Sequence, residues 1–146
     1  MGFQEAVRHV LSNYATFSGR ARRSEFWWFQ LAYLLASFVA GMIDALIFGT
    51  GPDSAAIVAP ILSLSLLLPS LAVWVRRLHD TDRTGWWLLL ILVPFLGIIV
   101  LLVFAVLRGT DGPNRFGPDP LGGGGAGTGT AFAADVQDSS VPRVER

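Results

Sequence analysis

The chain has 146 residues, enough for one domain, and 52% of them are apolar whereas only 15% are charged. A soluble domain carries about 25% charged residues, so this composition argues against an ordinary soluble protein. The eleven basic residues, all arginine, balance eleven acidic ones, and the absence of cysteine excludes disulfides, thiol nucleophiles and thiolate metal sites.

Residues 1–16 have the pattern of a short amphipathic helix. Apolar side chains recur at helical i, i+3 and i+4 spacing from Phe3 to Tyr14, and polar residues such as Glu5 and Arg8 fill the opposite face. Such a helix lies in the interface plane of a bilayer. The alternative is a helix whose apolar side packs on protein.

Three blocks of low charge follow within a membrane domain of residues 17–120, at about residues 26–48, 55–75 and 86–107. Each is close to the roughly 20 residues that a helix needs to cross about 30 Å of hydrocarbon. The blocks are apolar on all sides, unlike a surface helix with a single apolar stripe. The sequence therefore predicts an all-α integral membrane protein with an interfacial helix and three transmembrane helices.

The third block admits a second interpretation, because it contains Pro94 and Gly97. It is either a single kinked span or a re-entrant element that returns to the side on which it began. It is too short for two full crossings, and this favours the single kinked span. Residues 121–146 begin with a run of glycines, show no apolar periodicity and are predicted to be a disordered tail.

Arginine placement predicts the orientation, because cytoplasmic loops are enriched in basic residues. Two segments, the N-terminal flank and the predicted loop 76–85, carry Arg8, Arg20, Arg22, Arg23, Arg76, Arg77 and Arg83, and residues 49–54 carry none. The N-terminus and the 76–85 loop are therefore expected to be cytoplasmic. Three spans then put Arg108 and Arg115 outside, a conflict that a re-entrant third segment removes.

Three motifs separated by the apolar blocks carry a family resemblance. They are Phe17-x-Gly19-Arg20-x-Arg22-Arg23-x-Glu25-Phe26-Trp27, Arg76-Arg77-Leu78-His79-Asp80-x-x-Arg83-x-Gly85-Trp86-Trp87 and Gly112-x-Asn114-Arg115-Phe116-Gly117-x-Asp119-Pro120. In this order they resemble the domain-of-unknown-function 805 family of small bacterial inner-membrane proteins, over roughly residues 10–120. The resemblance implies a multi-pass protein of the bacterial plasma membrane, and it supplies no activity, cofactor or catalytic residue.

The mixed charge of the first two motifs predicts an ordered, salt-bridged network on the cytoplasmic surface. Its candidate members are Arg20, Arg22, Arg23, Glu25, Arg76, Arg77, His79, Asp80 and Arg83. Its simplest role is structural, locking the first span against the next two. Anion binding by Arg76, Arg77 and Arg83 ranks below ordinary anchoring among lipid headgroups.

His79 and Asp80 invite comparison with metal-dependent hydrolases, but a metal shell needs several further ligands and the chain has only two histidines. A hydrogen bond between these two side chains that orders the loop is the expected arrangement. Neither a metal nor a cofactor is predicted. Asp44, near the outer end of the first span, is interpreted as an interfacial residue and not as a proton site.

Two further groups of residues have assigned roles. The tryptophan pairs Trp27, Trp28, Trp86 and Trp87 are expected to anchor the protein at the membrane interface. The Gly- and Pro-rich C-terminal motif is expected to form a defined string of turns through Asn114, Arg115, Phe116, Gly117 and Asp119.

These observations predict a non-enzymatic membrane component. Its basic cytoplasmic surface would bind anionic lipid or a protein partner, with a homo-oligomer as one possibility, and nothing in the sequence suggests nucleic-acid binding. One alternative is a subunit of an oligomeric transporter or channel that uses Asp44. The other, ranked last, is a lipid-modifying enzyme that uses His79 and Asp80.

Overall fold

A computed structural model describes residues 1–122 of the chain, and all but the first two residues of the predicted disordered tail lie outside the described residues. The elements in chain order are α1 (Phe3–Ser12), α2 (Arg23–Phe48), α3 (Val58–Asp80), a 3-10 helix (Gly85–Leu92) and α4 (Leu96–Val106). Over this part of the chain there is no strand, only an isolated bridge between Asn114 and Gly117. The all-α prediction holds for the residues described.

The N-terminal helix α1 packs on α2 through part of its apolar face. Ala6 and Val10 are buried, and the Phe3 ring meets the edge of Trp28 at 5.9 Å between centroids. Other apolar residues of the helix, including Leu11, stay exposed. The predicted helix of residues 1–16 is thus shorter than expected, and it contacts protein on one side while offering an apolar surface on another.

The helices α2 and α3 are both long and apolar enough to cross a membrane. They pack antiparallel, with 26 and 23 residues, or about 39 and 35 Å at 1.5 Å per residue. Helix α3 runs past the predicted end at residue 75, so the expected 76–85 loop is helical up to Asp80. Hydropathy alone misses this extension, because it is stabilised by an ion pair between Arg77 and Asp80 at helical i, i+3 spacing.

A proline inside α3 is compensated by a side chain from outside the helix. Pro69 has no backbone N–H, so the carbonyl of Ser65 loses its intrahelical donor. The hydroxyl of Tyr14, just after α1, donates to that carbonyl. This bond fixes the segment after α1 against the middle of α3.

The third apolar block does not form the expected spanning helix. The 3-10 helix ends at Leu92, and Leu96 starts α4 after a tight reversal. Phe95 has φ +62° and ψ −62°, and the Leu96 N–H donates to the Pro94 carbonyl at 2.8 Å, which together define a γ-turn of the strained left-handed kind. We call residues 85–106 the apolar hairpin.

Glycine is required where the two arms of the apolar hairpin touch. A Cβ atom at Gly97 would lie 1.6 Å from the Leu90 carbonyl oxygen, so only glycine allows α4 to pack this closely on the 3-10 helix. The reversal at residues 93–95 and this close approach explain why a block of membrane-spanning length folds back on itself.

Both ends of the apolar hairpin lie at the same end of α3. Gly85 lies against the Val75 side chain, and the Thr110 N–H, just after α4, donates to the Asp80 carbonyl at 2.8 Å. The structure therefore folds the third block as a hairpin, as the re-entrant alternative predicts, and the count of three transmembrane helices is not confirmed. Residues 109–120 consequently lie beside the N-terminal flank and not at the opposite end of the helices.

Candidate functional site

Residues from all three sequence motifs meet where α2 begins and α3 ends. Five charged residues are buried there, and we call them the charge cluster: Arg20, Glu25, Arg76, Arg77 and Asp80. Apolar side chains, among them Phe26 and Val73, pack beneath the cluster. Burial removes these charges from water, so their stability depends on the partners that the fold supplies.

Asp80 is the centre of the charge cluster. Its Oδ1 atom lies 2.9 Å from Nη2 of Arg20, and Oδ2 accepts from Arg77. The three side chains are at most 5% exposed. One carboxylate thus neutralises two guanidinium groups only in part, and the remaining arginine N–H groups must find other acceptors.

Arg77 finds them at the end of α4. Its Nε donates to the Ala105 carbonyl at 3.1 Å and its Nη2 donates to the Leu107 carbonyl. The last carbonyls of a helix have no intrahelical donor and carry partial negative charge. Arg77 therefore caps α4 and holds the returning arm of the apolar hairpin against α3.

Glu25 forms the second half of the charge cluster. Its Oε1 atom lies 2.9 Å from Nη2 of Arg76, a contact that is ionic but poorly aligned as a hydrogen bond. The same oxygen lies 3.0 Å from Nδ1 of His9 on α1. The structure thus brings α1, α2 and α3 together on one carboxylate.

Residues 109–120, which we call the C-terminal strap, cover the charge cluster. Arg20 donates to the carbonyls of Thr110 and Gly112, each at 2.6 Å. Gly109 lies so close to Asp80 that a Cβ atom there would be 2.1 Å from Oδ2. The strap therefore needs glycine at this position and supplies the acceptors that Asp80 alone cannot.

The C-terminal turn motif holds the strap in place. Asn114 donates to the His79 carbonyl at 2.8 Å, and the Phe116 ring stacks on the His79 ring with 4.0 Å between centroids. Asp119 accepts from the backbone N–H groups of Leu121 and Gly112. These bonds hold the pKa of the Asp119 carboxyl below its usual value, because they favour the ionised form.

His79 and Asp80 do not form the expected hydrogen bond. The Nδ1 atom of His79 lies 3.1 Å from the Gly19 carbonyl oxygen, while Asp80 is engaged by Arg20 and Arg77. Successive residues of a helix point about 100° apart, so neighbours on α3 face different partners. Within residues 1–122 no group of three or more His, Cys, Asp or Glu side chains could hold a metal ion.

The other predicted members of the network lie outside the charge cluster, and Arg22 and Arg83 among them are partly buried. Arg22 donates to the Pro120 carbonyl, and Arg23 is exposed. The guanidinium of Arg83 lies 4.1 Å from the centroid of the Phe104 ring. Arg115 pairs with Asp82 at 3.2 Å. The structure therefore separates the arginines of the described residues into three groups: buried ones that bind the fold together, partly buried ones and exposed ones.

The four predicted tryptophan anchors are all partly or largely exposed. Trp28 contacts α1, Trp87 meets the edge of Phe104 at 5.5 Å, and Trp86 is the most exposed of the four. The sequence interpretation missed Trp74, which packs against Phe26 with 4.6 Å between centroids. Its position five residues after Pro69 gave no signal of this contact.

Asp44 has a structural partner that the sequence interpretation did not anticipate. Its two carboxylate oxygens accept hydrogen bonds from the backbone N–H groups of Ile57, Val58 and Ala59, at 2.8 to 3.0 Å. It is buried and caps the start of α3 from the end of α2. The structure thus gives Asp44 the role of a helix cap, and the interfacial interpretation stays a prediction.

Comparison with known proteins identifies the family. The sequence model of a family described as "Protein of unknown function (DUF805)" matches residues 14–118. The chain belongs to this family. The matched residues contain every member of the charge cluster, the whole apolar hairpin and most of the C-terminal strap, so the DUF805 match covers the candidate site.

Individual relatives agree with the DUF805 assignment. The chain is 47% identical over 111 residues to "Inner membrane protein YhaH" of Escherichia coli (strain K12), covering 76% of this chain and 92% of the relative. It is 49% identical over 115 residues to "Inner membrane protein YhaI" of the same strain, covering 76% and 91%. No solved structure matches the chain significantly. The family resemblance is confirmed, and the chain is a membrane protein.

Proposed function

We propose that this protein is a non-enzymatic component of the bacterial inner membrane whose exposed arginines bind anionic headgroups of the cytoplasmic leaflet. The observation that carries the proposal is the division of the arginines. Arg20, Arg76 and Arg77 are buried and committed to the fold, whereas Arg8 and Arg23 are exposed and have no partner among residues 1–122.

The orientation follows from the ends of α2 and α3. All nine arginines of the described residues belong to the end that carries the charge cluster: Arg8, Arg20, Arg22, Arg23, Arg76, Arg77, Arg83, Arg108 and Arg115. The connection 49–57 at the other end has none. The re-entrant hairpin removes the conflict over Arg108 and Arg115, so the positive-inside rule assigns the arginine-rich end, which we call the arginine end, to the cytoplasm. The names of the relatives support the inner membrane as the location.

Lipid is favoured over a protein partner because the exposed arginines lie at interfacial depth. Arg23 begins the spanning helix α2 and is followed within five residues by the partly exposed Trp27 and Trp28, side chains that settle at headgroup level. Each basic residue near an anionic leaflet contributes about 1 kcal/mol of attraction. Arg8 and Arg23 together would therefore contribute about 2 kcal/mol to headgroup binding.

The alternatives draw less support from the geometry. An enzyme that used His79 and Asp80 would need side chains free to reach a substrate, but Asp80 is enclosed by two arginines and His79 lies under Phe116. A transporter that used Asp44 would need a carboxylate free to bind an ion, yet both of its oxygens accept backbone N–H groups. A structural and lipid-binding role uses the residues as they are arranged.

The test measures lipid selectivity. The protein is reconstituted with spin-labelled phosphatidylglycerol or phosphatidylcholine, and the ratio of the two association constants is determined. The variant Arg8→Gln/Arg23→Gln is expected to lower this ratio, by up to about 2 kcal/mol in free energy at low salt. High salt should lower the ratio for the unmodified protein in the same way.

The matched control is Arg108→Gln/Arg115→Gln. It removes the same formal charge, but these arginines pair with Asp111 and Asp82, so a much smaller loss of selectivity is expected. Equal losses in both variants would indicate a response to overall charge and contradict headgroup binding at Arg8 and Arg23. A partner recovered by in-cell cross-linking from Arg23→Cys, including a second copy of the chain, with unchanged lipid selectivity would favour the protein-partner alternative.

A further inference from the structure

Each arm of the apolar hairpin is about half as long as the spanning helices. Its 3-10 arm has 8 residues and its α4 arm 11, which correspond to about 16 and 17 Å of rise. Both arms start from the level of α3 residues 75–80, since Gly85 lies against Val75 and the Ala105 carbonyl accepts from Arg77. The hydrocarbon core is about 30 Å thick, so arms that run along α3 from this level reach about the midplane, and the hairpin then occupies only the leaflet at the arginine end.

The tip of the apolar hairpin is suited to remain in hydrocarbon. Leu92, Phe95 and Leu96 are between 64% and 83% exposed and carry no polar side-chain atom. Beyond the tip, α2 and α3 continue alone, and an open apolar groove between them is lined by residues such as Leu35, Ile43 and Leu62. No element of residues 1–122 fills the leaflet beneath the tip.

The N-terminal helix adds further bulk to the same leaflet. Helix α1 contacts the first turns of α2, through His9 with Glu25 and Phe3 with Trp28. The segment after α1 reaches deeper, because the Tyr14 hydroxyl donates to the Ser65 carbonyl in the middle of α3. The leaflet at the arginine end thus contains four helical rods and α1, while the other leaflet contains two rods.

We infer that the protein is wedge-shaped in the membrane. It partitions preferentially into bilayers that are curved so that the leaflet at the arginine end is convex. A helix about 10 Å wide has a cross-section of about 80 Å², so two rods occupy about 160 Å² and four occupy about 320 Å², before α1 is counted. This asymmetry arises from the half-depth hairpin and α1. It does not depend on the charge of the lipids.

Nanotubes pulled from giant vesicles test the inference. In a tube of about 15 nm radius, the outer surface of a bilayer about 40 Å thick exceeds the inner surface by about a third in area. Vesicles of uncharged phosphatidylcholine contain the full chain with one introduced cysteine, and a membrane-impermeant fluorescent maleimide labels only the molecules whose cysteine faces outward. The natural absence of cysteine makes this labelling specific.

Two label positions give opposite expectations. Ser18→Cys marks the arginine end and Thr50→Cys marks the other end, and both residues are exposed. Molecules labelled at Ser18→Cys should be enriched in the tube about 1.5-fold or more, rising as the tube narrows, because their wide half lies in the convex leaflet. Molecules labelled at Thr50→Cys should be depleted. The inference would be overturned by equal densities of labelled molecules in tube and vesicle for both labels, or by enrichment of both labels or depletion of both labels in the tube.

A variant of the apolar hairpin tests the cause. Gly97→Ala forces the two arms apart, whereas a Cβ atom at Gly41 on α2 would meet nothing within 4 Å, so Gly41→Ala is the matched control. The enrichment and depletion in the tube should become smaller in Gly97→Ala and stay unchanged in Gly41→Ala. In these uncharged vesicles Arg8→Gln/Arg23→Gln should be enriched in the tube as strongly as the parent chain. The wedge and headgroup binding are therefore tested independently, and either can be refuted while the other stands.

Discussion

Replacing Asp80 by asparagine removes a negative charge that two buried arginines share. Arg20 and Arg77 each contact the carboxylate, and all three side chains are at most 5% exposed. Asparagine keeps the shape of the side chain and can still accept a hydrogen bond through its oxygen. Its amide nitrogen cannot accept, so the substitution removes the charge together with the acceptor of one of the two arginines.

The expected cost is large because the arginines cannot return to water. Their other N–H groups remain bonded to backbone carbonyls, including those of Thr110 and Ala105, and these contacts hold both guanidinium groups in place. Breaking a buried pair by removing one partner typically costs about 3–5 kcal/mol. The total stability of a domain is about 5–15 kcal/mol, so Asp80→Asn should remove a substantial part of it.

The chain contains a matched exposed pair. Arg108 and Asp111 have the same i, i+3 spacing as Arg77 and Asp80, and their side chains are 71% and 79% exposed. Asp111→Asn should cost at most about 1 kcal/mol, because water screens a surface pair. Both variants are unfolded in mixed micelles by increasing the mole fraction of dodecyl sulfate, and tryptophan fluorescence gives the free energy of unfolding.

A loss for Asp80→Asn that is no larger than the loss for Asp111→Asn would refute the reasoning. It would mean that the charge cluster is hydrated in the native protein. The same result would remove the distinction between buried and exposed arginines on which the proposed lipid site depends.

Three further predictions follow from single contacts. Tyr14→Phe should lower the free energy of unfolding by about 0.5–1.5 kcal/mol. In the Pro69→Ala background the loss should be smaller, because alanine restores a backbone donor for the Ser65 carbonyl. An equal loss in both backgrounds would contradict the role of Tyr14 as the donor that replaces the missing N–H of Pro69. Gly97→Ala should destabilise the protein in the same micelle assay far more than Gly41→Ala, because only Gly97 meets a carbonyl oxygen, and similar unfolding curves would contradict the close packing of the hairpin. The pKa of Asp119 is lower in the folded protein than in the unfolded chain, so the stability that its ionised carboxylate contributes is complete above the unfolded value, near 3.8, and is lost as the pH falls through the lower folded value. The difference in free energy of unfolding between the parent chain and Asp119→Asn should therefore be constant near neutral pH and vanish in strong acid. A difference that grew on acidification would contradict the direction of this pKa shift.

The long helices could be predicted from the sequence because their signal is local. Residues 26–48 and 55–75 are apolar on all sides; α2 covers the first block, and α3 covers the second from Val58 onward. The third block has the same local signal, so hydropathy could not separate a span from a hairpin. The difference depends on the turn at Phe95 and on the contact of Gly97 with a residue seven positions earlier, neither of which composition reports.

The candidate site could be predicted only in part, because its contacts also join residues that are distant in the sequence. The motifs indicated a mixed-charge network, since Asp80 and Glu25 stand among arginines in the sequence. Their pairing partners depend on the antiparallel packing of α2 and α3, and the carbonyls bonded by Arg77 belong to residues with no polar side chain. The capping role of Asp44 was not predicted, because its partners are backbone N–H groups 13 to 15 residues further along the chain.

The charge cluster can be completed only after the C-terminal strap has been synthesised. Arg20 donates to the carbonyl of Gly112, 92 residues later in the chain. At about 5–20 residues per second, synthesis of that stretch takes about 5–18 s. Throughout this interval α2 and α3 are made, but the guanidinium of Arg20 still lacks acceptors that it has in the finished fold. A chain that stops before the strap therefore ends with an incompletely bonded arginine at the membrane surface, so incomplete and complete molecules differ in the charge that they expose.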